Sequence, residues 1–114
     1  MVSGGAYVPK RGDLIWITLN PQAGHEQSGR RPALVISPGA YNAKVELALL
    51  CPVTSQAKGY PFEVGIPPGA GVEGVVLSDH VKCLDWRACD AKHIGALPGS
   101  ALREVLAKLA TLVG

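Results

Sequence analysis

Pro32-Ala33-Leu34-Val35-Ile36-Ser37 is the stretch that decides the fold of this chain. It is too apolar to be a strand with one solvated face, so we expect a central strand that is buried on both faces. The polar run Gly24-His25-Glu26-Gln27-Ser28-Gly29-Arg30-Arg31 lies directly before it. A polar loop that leads into a buried strand holds reactive side chains at the rim of a small fold while fixing one end.

Arg31 stands at the junction between this loop and the strand. Because a proline biases the preceding residue toward extended backbone, we expect Arg31 to be the least mobile charged residue of the loop. Its planar guanidinium suits a phosphate or carboxylate that is held through two hydrogen bonds. The alternative interpretation is an ordinary solvated loop.

A second polar segment follows the apolar run from Val45 to Leu50, and it reads Thr54-Ser55-Gln56-Ala57-Lys58-Gly59-Tyr60-Pro61. Thr54, Ser55 and Lys58 can converge on one anion. The alternative is an ordinary turn between two strands, which clusters of Ser, Thr, Gly and Pro usually form.

Short apolar or alternating runs separated by Gly and Pro predict the remaining strands. These are Leu14–Leu19, Glu46–Val53, Phe62–Ile66, Gly74–Leu84 and Cys89–Leu97, with a helical turn at Ala40–Lys44 and connections at Asn20–Arg30 and Pro67–Glu73.

The C-terminal part of the chain has a helical period. Apolar residues recur there at steps of three and four, at Leu102, Val105, Leu106, Leu109, Leu112 and Val113. Pro98 to Ser100 supply signals for a helix start, and we expect the stripe to be core. Short strands followed by one helix favour a mainly β, α+β domain over residues 1–114, built as a small, strongly curved antiparallel barrel with a C-terminal helix packed on it.

Composition limits the classes of function. The chain has 114 residues, 47% apolar, and a net charge of +2, which is low for a protein that wraps duplex nucleic acid. No apolar run reaches the roughly 20 residues that span a bilayer, and the first residues lack a signal-peptide pattern. We therefore expect a cytoplasmic protein with no membrane contact.

The cysteines and histidines do not predict a metal or a cofactor. Cys51, Cys83 and Cys89 are an odd number at spacings typical of neither a disulfide framework nor a zinc site. The three histidines, His25, His80 and His93, are scattered and lack ligand spacing.

Several rarer elements occur in a fixed order over most of the chain. They are G-D-L-I-W from Gly12, E-Q-S-G-R-R-P from Glu26, V-I-S-P from Val35, Y-N at Tyr41, P-V-T-S-Q-A-K-G-Y-P-F-E-V from Pro52, S-D-H-V-K from Ser78 and W-R-A from Trp86. In these elements, from about Tyr7 to the C-terminus, the chain resembles the MazF/PemK family of bacterial toxins, which are sequence-specific endoribonucleases (mRNA interferases).

The resemblance implies an SH3-like barrel, a symmetric homodimer and a toxin that cuts single-stranded RNA, mainly mRNA, without a metal. It also implies a MazE-like antitoxin whose acidic, disordered tail folds over the substrate groove. Carried over by position, the catalytic residues are Arg31 and Thr54, with Glu26 in a supporting or base-like role. The RNA-binding positions that we expect are Gln27, Arg30, Ser55, Lys58, Asp79, His80 and Lys82.

The identity of the general base stays open. Arginine remains protonated at ordinary pH, and Glu26 is the chemically easier acceptor. His25 and His80 are further candidates, because histidine is a common general base. Two functions of other classes compete with the nuclease. One is a non-enzymatic poison of a protein target, like the gyrase poisons on the same barrel, and the other is an SH3-like binding module with an exposed aromatic groove.

Overall fold

Seven strands and two helices are formed by residues 7–19 and 29–113, the part of the chain that this computed structural model describes. In chain order they are β1 (Asp13–Leu19), β2 (Gly29–Val35), α1 (Gly39–Val45), β3 (Leu47–Thr54), β4 (Glu63–Gly65), β5 (Val75–Leu77), β6 (Lys82–Asp85), β7 (Lys92–Ala96) and α2 (Gly99–Val113). The predicted mainly β architecture with a C-terminal helix is confirmed.

All strand pairs are antiparallel, in the order β4-β5-β3-β2-β1-β7, and β6 also pairs with β3. Within the described residues the outer strands β4 and β7 do not pair with each other, so the sheet is open where the sequence predicted a barrel. Closure depends on contacts between strands that are distant in the chain, which local patterns do not encode.

The core consists of two apolar clusters on the two faces of this sheet. The first contains Leu14, Leu34 and Cys51 and is covered by α2 through Ala101 and Val105. The second contains strand residues whose side chains point to the other face of the sheet. Its buried members are Ile15, Ile17, Ala33, Val35, Ala48, Leu50 and Trp86. Since β2 and β3 contribute to both clusters, the prediction of a central strand buried on both faces is confirmed. The predicted end at Ser37 is wrong, because β2 ends at Val35.

The second strand begins three residues earlier than predicted, at Gly29, so Arg30 and Arg31 are strand residues and not loop residues. β2 pairs with β1 from Gly29 to Leu34 but with β3 only from Ala33 to Val35. One edge of β2 is thus free at Pro32, and the strand tolerates the missing N–H there.

The predicted long strand Gly74–Leu84 is wrong, because a turn at Ser78–Asp79 divides it into β5 and β6. Both halves pair with the same edge of β3. From Val53 to Leu50, β3 advances by three residues. Its partner segment advances by six residues over the same distance, from Val76 to Lys82. Three extra residues are therefore pushed out of the ladder, and Ser and Asp are favourable residues for such a turn.

The helices follow the predicted pattern with corrections at their ends. α1 is longer than the predicted turn and ends at Val45, and it is followed by Glu46, whose φ of 61° is left-handed. α2 begins after Pro98, whose carbonyl accepts the N–H of Leu102. Its apolar stripe is core only as far as Leu109, since Leu112 and Val113 are exposed. Neither helix in the described part of the chain combines the length and apolarity needed to cross a membrane.

Smaller corrections concern the strands at the sheet edges. β4 covers Glu63–Gly65 where Phe62–Ile66 was predicted, and β7 covers Lys92–Ala96 where Cys89–Leu97 was predicted. A turn over residues 86–90 replaces the first part of the predicted strand, and it includes Asp90 at a φ of 53°.

Asn42 is a buried polar residue that joins three separate segments. Its Nδ2 donates to the carbonyls of Pro9 (2.8 Å) and Ser37 (3.1 Å), and its Oδ1 accepts from the Ser37 hydroxyl. The Ser37 Oγ in turn accepts the N–H of Leu49, and the carbonyl of Asn42 accepts the indole N–H of Trp86 at 3.0 Å. The network anchors β2, β3 and the segment before β1, which carry the site described below.

We expect Asn42→Ala to lower the free energy of unfolding by about 2–4 kcal/mol, because it leaves buried carbonyl and hydroxyl groups without partners. Urea denaturation followed by tryptophan fluorescence measures this loss. Lys44→Ala, at an exposed position of the same helix, is the matched control and should change stability by less than about 0.5 kcal/mol. A loss below about 1 kcal/mol for Asn42→Ala would mean that the network is not an anchor.

Candidate active-site cleft

A cleft of about 910 Å³ lies where β1, β2 and β3 meet the loops after β3 and β5. Ile17, Ala33 and Leu50, which belong to the second apolar cluster, form its floor. Polar and charged residues line its rim. They are Arg31, Thr54, Ser55, Gln56, Lys58, Tyr60, Glu63, Glu73, His80 and Lys82.

Arg31 and Thr54 meet in this cleft because of strand alternation and register. Arg31 is on the same face of β2 as Ala33 and Val35, and Thr54 is on the same face of β3 as Leu50. The strands pair Val35 with Leu50 and Ala33 with Pro52. If the same register is continued by two residues, Arg31 lies opposite Thr54, and both side chains line the cleft.

The Thr54 hydroxyl is set up as a donor toward the cleft. Its Oγ1 accepts the backbone N–H of Gln56 at 3.1 Å, which uses a lone pair and leaves the hydroxyl proton free. The backbone of Thr54 is also tightly packed, since a Cβ at Gly74 would lie 2.3 Å from the Thr54 carbonyl oxygen. Gly74 has a φ of 127°, a region that favours glycine, so this close approach requires it.

The charges of the lining residues favour an anion. Arg31, Lys58 and Lys82 are cationic, whereas Glu63 and Glu73 are the carboxylates among the described lining residues. The Glu63 carboxylate is occupied by backbone N–H groups of Lys58 and Gly59. The cleft therefore presents more positive than negative charge to a ligand.

Cys51 lies between the cleft residues Leu50 and Pro52 in sequence, but its thiol belongs to the first apolar cluster, on the other face of the sheet. Burial, and to a smaller extent the nearby Asp79 carboxylate, raises the pKa of the Cys51 thiol to about 11. A thiol with this pKa stays protonated near neutral pH and is a poor nucleophile. Among residues 7–19 and 29–113, no three His, Cys, Asp or Glu side chains are grouped closely enough to hold a metal ion.

Arg30 was predicted to contact RNA but lies outside the cleft, because neighbouring residues of a strand point to opposite faces. Its guanidinium donates to the Thr18 hydroxyl and to the carbonyl of Asp90 (3.0 Å), and it lies 3.7 Å from the Asp90 carboxylate. Thr18 and Arg30 are also direct partners in the β1–β2 register. These contacts assign Arg30 to the face of β2 opposite the cleft.

The other predicted residues are divided between the cleft, its surroundings and the part of the chain that is not described. Ser55, Lys58, His80 and Lys82 line the cleft together with Arg31 and Thr54. Asp79 does not line it; it lies on the turn beside His80, with its carboxylate 3.7 Å from the His80 Nε2. His25, Glu26 and Gln27 lie outside the described residues.

Several residues of the cleft were missed by the sequence analysis. Gln56 and Tyr60 were treated as parts of a turn, Glu73 as part of a connection, and Glu63 as an ordinary strand residue. The available signal for Glu63 was its position two residues after the Gly59-Tyr60-Pro61 turn, within reach of the N–H groups of that turn.

Chemically, a guanidinium fork and a hydroxyl that line the same cleft suit the non-bridging oxygens of a phosphodiester. Two lysines further along the cleft suit neighbouring phosphates of the same strand. The cleft is suited to binding a short single-stranded nucleic acid and to stabilising negative charge that develops on one of its phosphates.

Comparison with known proteins gives consistent matches over nearly the whole chain. A family model described as PemK-like, MazF-like toxin of type II toxin–antitoxin system matches residues 10–113. The endoribonuclease toxin MazF of Escherichia coli strain K12 is 46% identical over 108 residues, which cover 95% of this chain and 96% of that protein.

Solved structures give the same result. MazF (Form-I) from Deinococcus radiodurans is 56% identical with a TM-score of 0.87, over 96% of this chain and 99% of that one. A chain of the MazE-MazF structure (Form-III) from the same organism is 54% identical with a TM-score of 0.89, over 95% of this chain and 98% of that one. The open sheet and its helices are thus similar to those of MazF structures.

Proposed function

This chain belongs to the PemK-like, MazF-like toxins of type II toxin–antitoxin systems, and from that premise we propose that it is an endoribonuclease that arrests growth by cutting single-stranded RNA, mainly mRNA, at a short sequence. The observation that carries the proposal is the convergence of Arg31 and Thr54, 23 positions apart in the chain, on one cation-rich cleft. The relatives described as endoribonucleases support the same activity.

The proposed chemistry uses the RNA itself as the nucleophile. The ribose 2′-hydroxyl attacks the adjacent phosphorus while a base takes its proton, and the bond from phosphorus to the 5′-oxygen breaks as that oxygen gains a proton. The products are a 2′,3′-cyclic phosphate and a free 5′-hydroxyl. This route needs charge stabilisation and proton transfer at the phosphate and no metal ion.

Arg31 and Thr54 take the roles that their geometry supports. The Arg31 guanidinium binds two non-bridging oxygens, where charge increases in the transition state. The Thr54 hydroxyl, whose oxygen already accepts the Gln56 N–H, donates a hydrogen bond to a non-bridging or leaving oxygen and keeps its proton. Lys58 and Lys82 contact neighbouring phosphates, and Ser55 and His80 contact the ribose or base edges.

The proton acceptor is assigned to Glu26 in the proposed reaction. Glu26 precedes β2 by three residues, so it is close in the chain to Arg31. A carboxylate is a better base at neutral pH than a guanidinium. His80 lines the cleft and is the second candidate, and His25 and Arg31 itself are the remaining ones.

Two protein partners belong to the proposal. The toxin is a symmetric homodimer in the cytoplasm, and it is neutralised by a MazE-like antitoxin whose acidic, disordered tail folds over the cleft. An acidic tail complements Arg31, Lys58 and Lys82 and excludes RNA from the same surface. The solved MazE-MazF complexes among the similar structures support such a partner.

The two competing functions have less support. A poison of a protein target does not need a guanidinium and a hydroxyl arranged around one phosphate. A module for proline-rich ligands needs a groove of several aromatic rings, and among the described lining residues Tyr60 is the one large aromatic side chain.

Arg31→Ala and Arg30→Ala form a matched pair of variants, since each removes one arginine from adjacent positions of β2. We expect Arg31→Ala to reduce RNA cleavage by about a thousandfold or more, because it removes the guanidinium from the phosphate. Arg30→Ala should keep cleavage within about fivefold, because its side chain is on the other face. Single-turnover cleavage rates, with circular dichroism as a check on folding, measure both. Equal losses for the two variants would contradict the assignment of faces.

Thr54→Val and Thr54→Ser distinguish the contribution of the Thr54 hydroxyl to catalysis from that of the side-chain shape. We expect Thr54→Val to lower kcat by about a hundredfold, as when one donor to an oxyanion is removed. Thr54→Ser keeps the donor and should stay within about fivefold of the wild-type kcat. If Thr54→Val loses less than about threefold in kcat, the hydroxyl has no role at the phosphate.

The products and the metal requirement test the reaction itself. Cleavage of a long RNA should continue in EDTA and should give 5′ ends that a kinase can phosphorylate directly, since those ends carry free hydroxyls. End mapping by primer extension then shows whether the cuts share a short sequence. A strict requirement for a divalent metal, or 5′-phosphate ends, would contradict the proposed reaction.

A further inference from the structure

We infer that Glu63 is a positioning residue of the cleft: its carboxylate fixes the segment of residues 55–60, here named the β3–β4 loop, so that Lys58 faces the RNA backbone. The inference rests on the proposed RNA-cleaving function and assigns to Glu63 the shape of one wall of that site. Glu63 acts through the loop and not on the reacting atoms.

The Glu63 carboxylate receives the N–H groups of two consecutive loop residues. The N–H of Lys58 lies 2.9 Å from Oε2 and 3.2 Å from Oε1, and the N–H of Gly59 lies 3.0 Å from Oε1. Gly59 has a left-handed φ of 81°, a conformation that glycine adopts without strain as the chain turns toward β4. Hydrogen bonds to a charged acceptor are the stronger ones.

Glu63 is itself held in place by the sheet. It is the first residue of β4 and pairs with Leu77 of β5, and its own N–H donates to the Tyr60 carbonyl at 3.1 Å. The other end of the loop is held at Thr54, whose Oγ1 accepts the Gln56 N–H. The loop is thus fixed at its first residues by Thr54 and at its last residues by Glu63.

The β3–β4 loop forms one wall of the cleft. Ser55, Gln56, Lys58 and Tyr60 all line it. In a loop that is free to move, these side chains would have to be ordered at the moment of RNA binding, which weakens the affinity. By ordering the backbone of Lys58 beforehand, Glu63 removes part of that cost.

The direction of the change in RNA affinity distinguishes a positioning role of Glu63 from an effect of its charge. Glu63 is an anion in a cleft that is proposed to bind a polyanion, so removal of its charge alone should strengthen RNA binding. A positioning role predicts the opposite, a loss of affinity when the hydrogen bonds are removed. Glu73 provides the matched control, because it is a second carboxylate of the same cleft, on the β4–β5 connection, and is not the acceptor of these two N–H groups.

The test compares wild type with Glu63→Ala, Glu63→Gln and Glu73→Ala. Binding is measured with a fluorescent single-stranded RNA whose riboses are 2′-O-methylated, which lacks the attacking hydroxyl, and cleavage is measured with unmodified RNA. We expect Glu63→Ala to raise Kd and KM by about tenfold with kcat within about threefold, the size of one ordered ionic contact. Glu63→Gln should recover most of this loss, because one amide oxygen can accept both N–H groups as Oε1 does.

Glu73→Ala should bind RNA as tightly as wild type or more tightly, since it removes negative charge only. The salt dependence gives a second readout of Lys58. If Glu63→Ala releases Lys58 from its phosphate, the slope of log Kd against log salt should fall by about 0.7, as expected for one lost contact to a single strand. In a Lys58→Ala background, Glu63→Ala should then add less than about threefold to Kd.

Amide hydrogen exchange of Lys58 and Gly59 tests the loop without RNA. We expect protection of both amides in wild type and Glu63→Gln and its loss in Glu63→Ala. Unchanged exchange in Glu63→Ala, or tighter RNA binding by that variant, overturns the positioning role. Wild-type protein that protects these amides but neither binds nor cuts RNA would instead overturn the proposed function, so the two failures are distinguishable.

Discussion

The antiparallel register between β2 and β3 is the constraint on which the rest of this molecule depends. It sets residues of odd number on β2 against residues of even number on β3, so that Val35 and Leu50 share the second apolar cluster. The same alternation places Arg31 and Thr54 at the end of that cluster that borders the cleft. A shift of one residue would turn Arg30 into the cleft and move Ala33 and Val35 out of the second apolar cluster. The hydrophobic energy of the core therefore also fixes the position of the guanidinium.

A large part of the fold could be predicted from local sequence. The alternation in Leu14–Leu19, the continuous apolar run after Pro32 and the period of the α2 stripe each specify an element through its own buried face. Arg31, Thr54, Ser55, Lys58, His80 and Lys82 were predicted from polar segments next to such runs, together with the family resemblance, and the structure brings all six to one cleft. Their chemical roles stay predictions.

What could not be predicted depends on contacts between distant segments. The open edge between β4 and β7, the division of the long strand at Ser78 and the orientation of Arg30 are all decided by partners elsewhere in the chain. Arg30 and Arg31 look equivalent in sequence, and the pairing of β2 with β1 and β3 distinguishes them. The role of Glu63 was hidden in the same way, because a strand residue that binds a loop has no periodic signature.

The turn between β5 and β6 has a consequence for how such a domain can change. Three extra residues leave the β3 ladder there and re-enter it in a new register. Ser78 is buried at the start of this excursion, but Asp79 and His80 are exposed, so their side chains can change without a change in the strand pairing. His80 therefore lies on a turn outside the strand pairing, whereas Arg31 lies on β2, whose register is fixed by the core. Related proteins could therefore differ in the exposed side chains of this short turn while Arg31 and Thr54 keep their positions on the core strands.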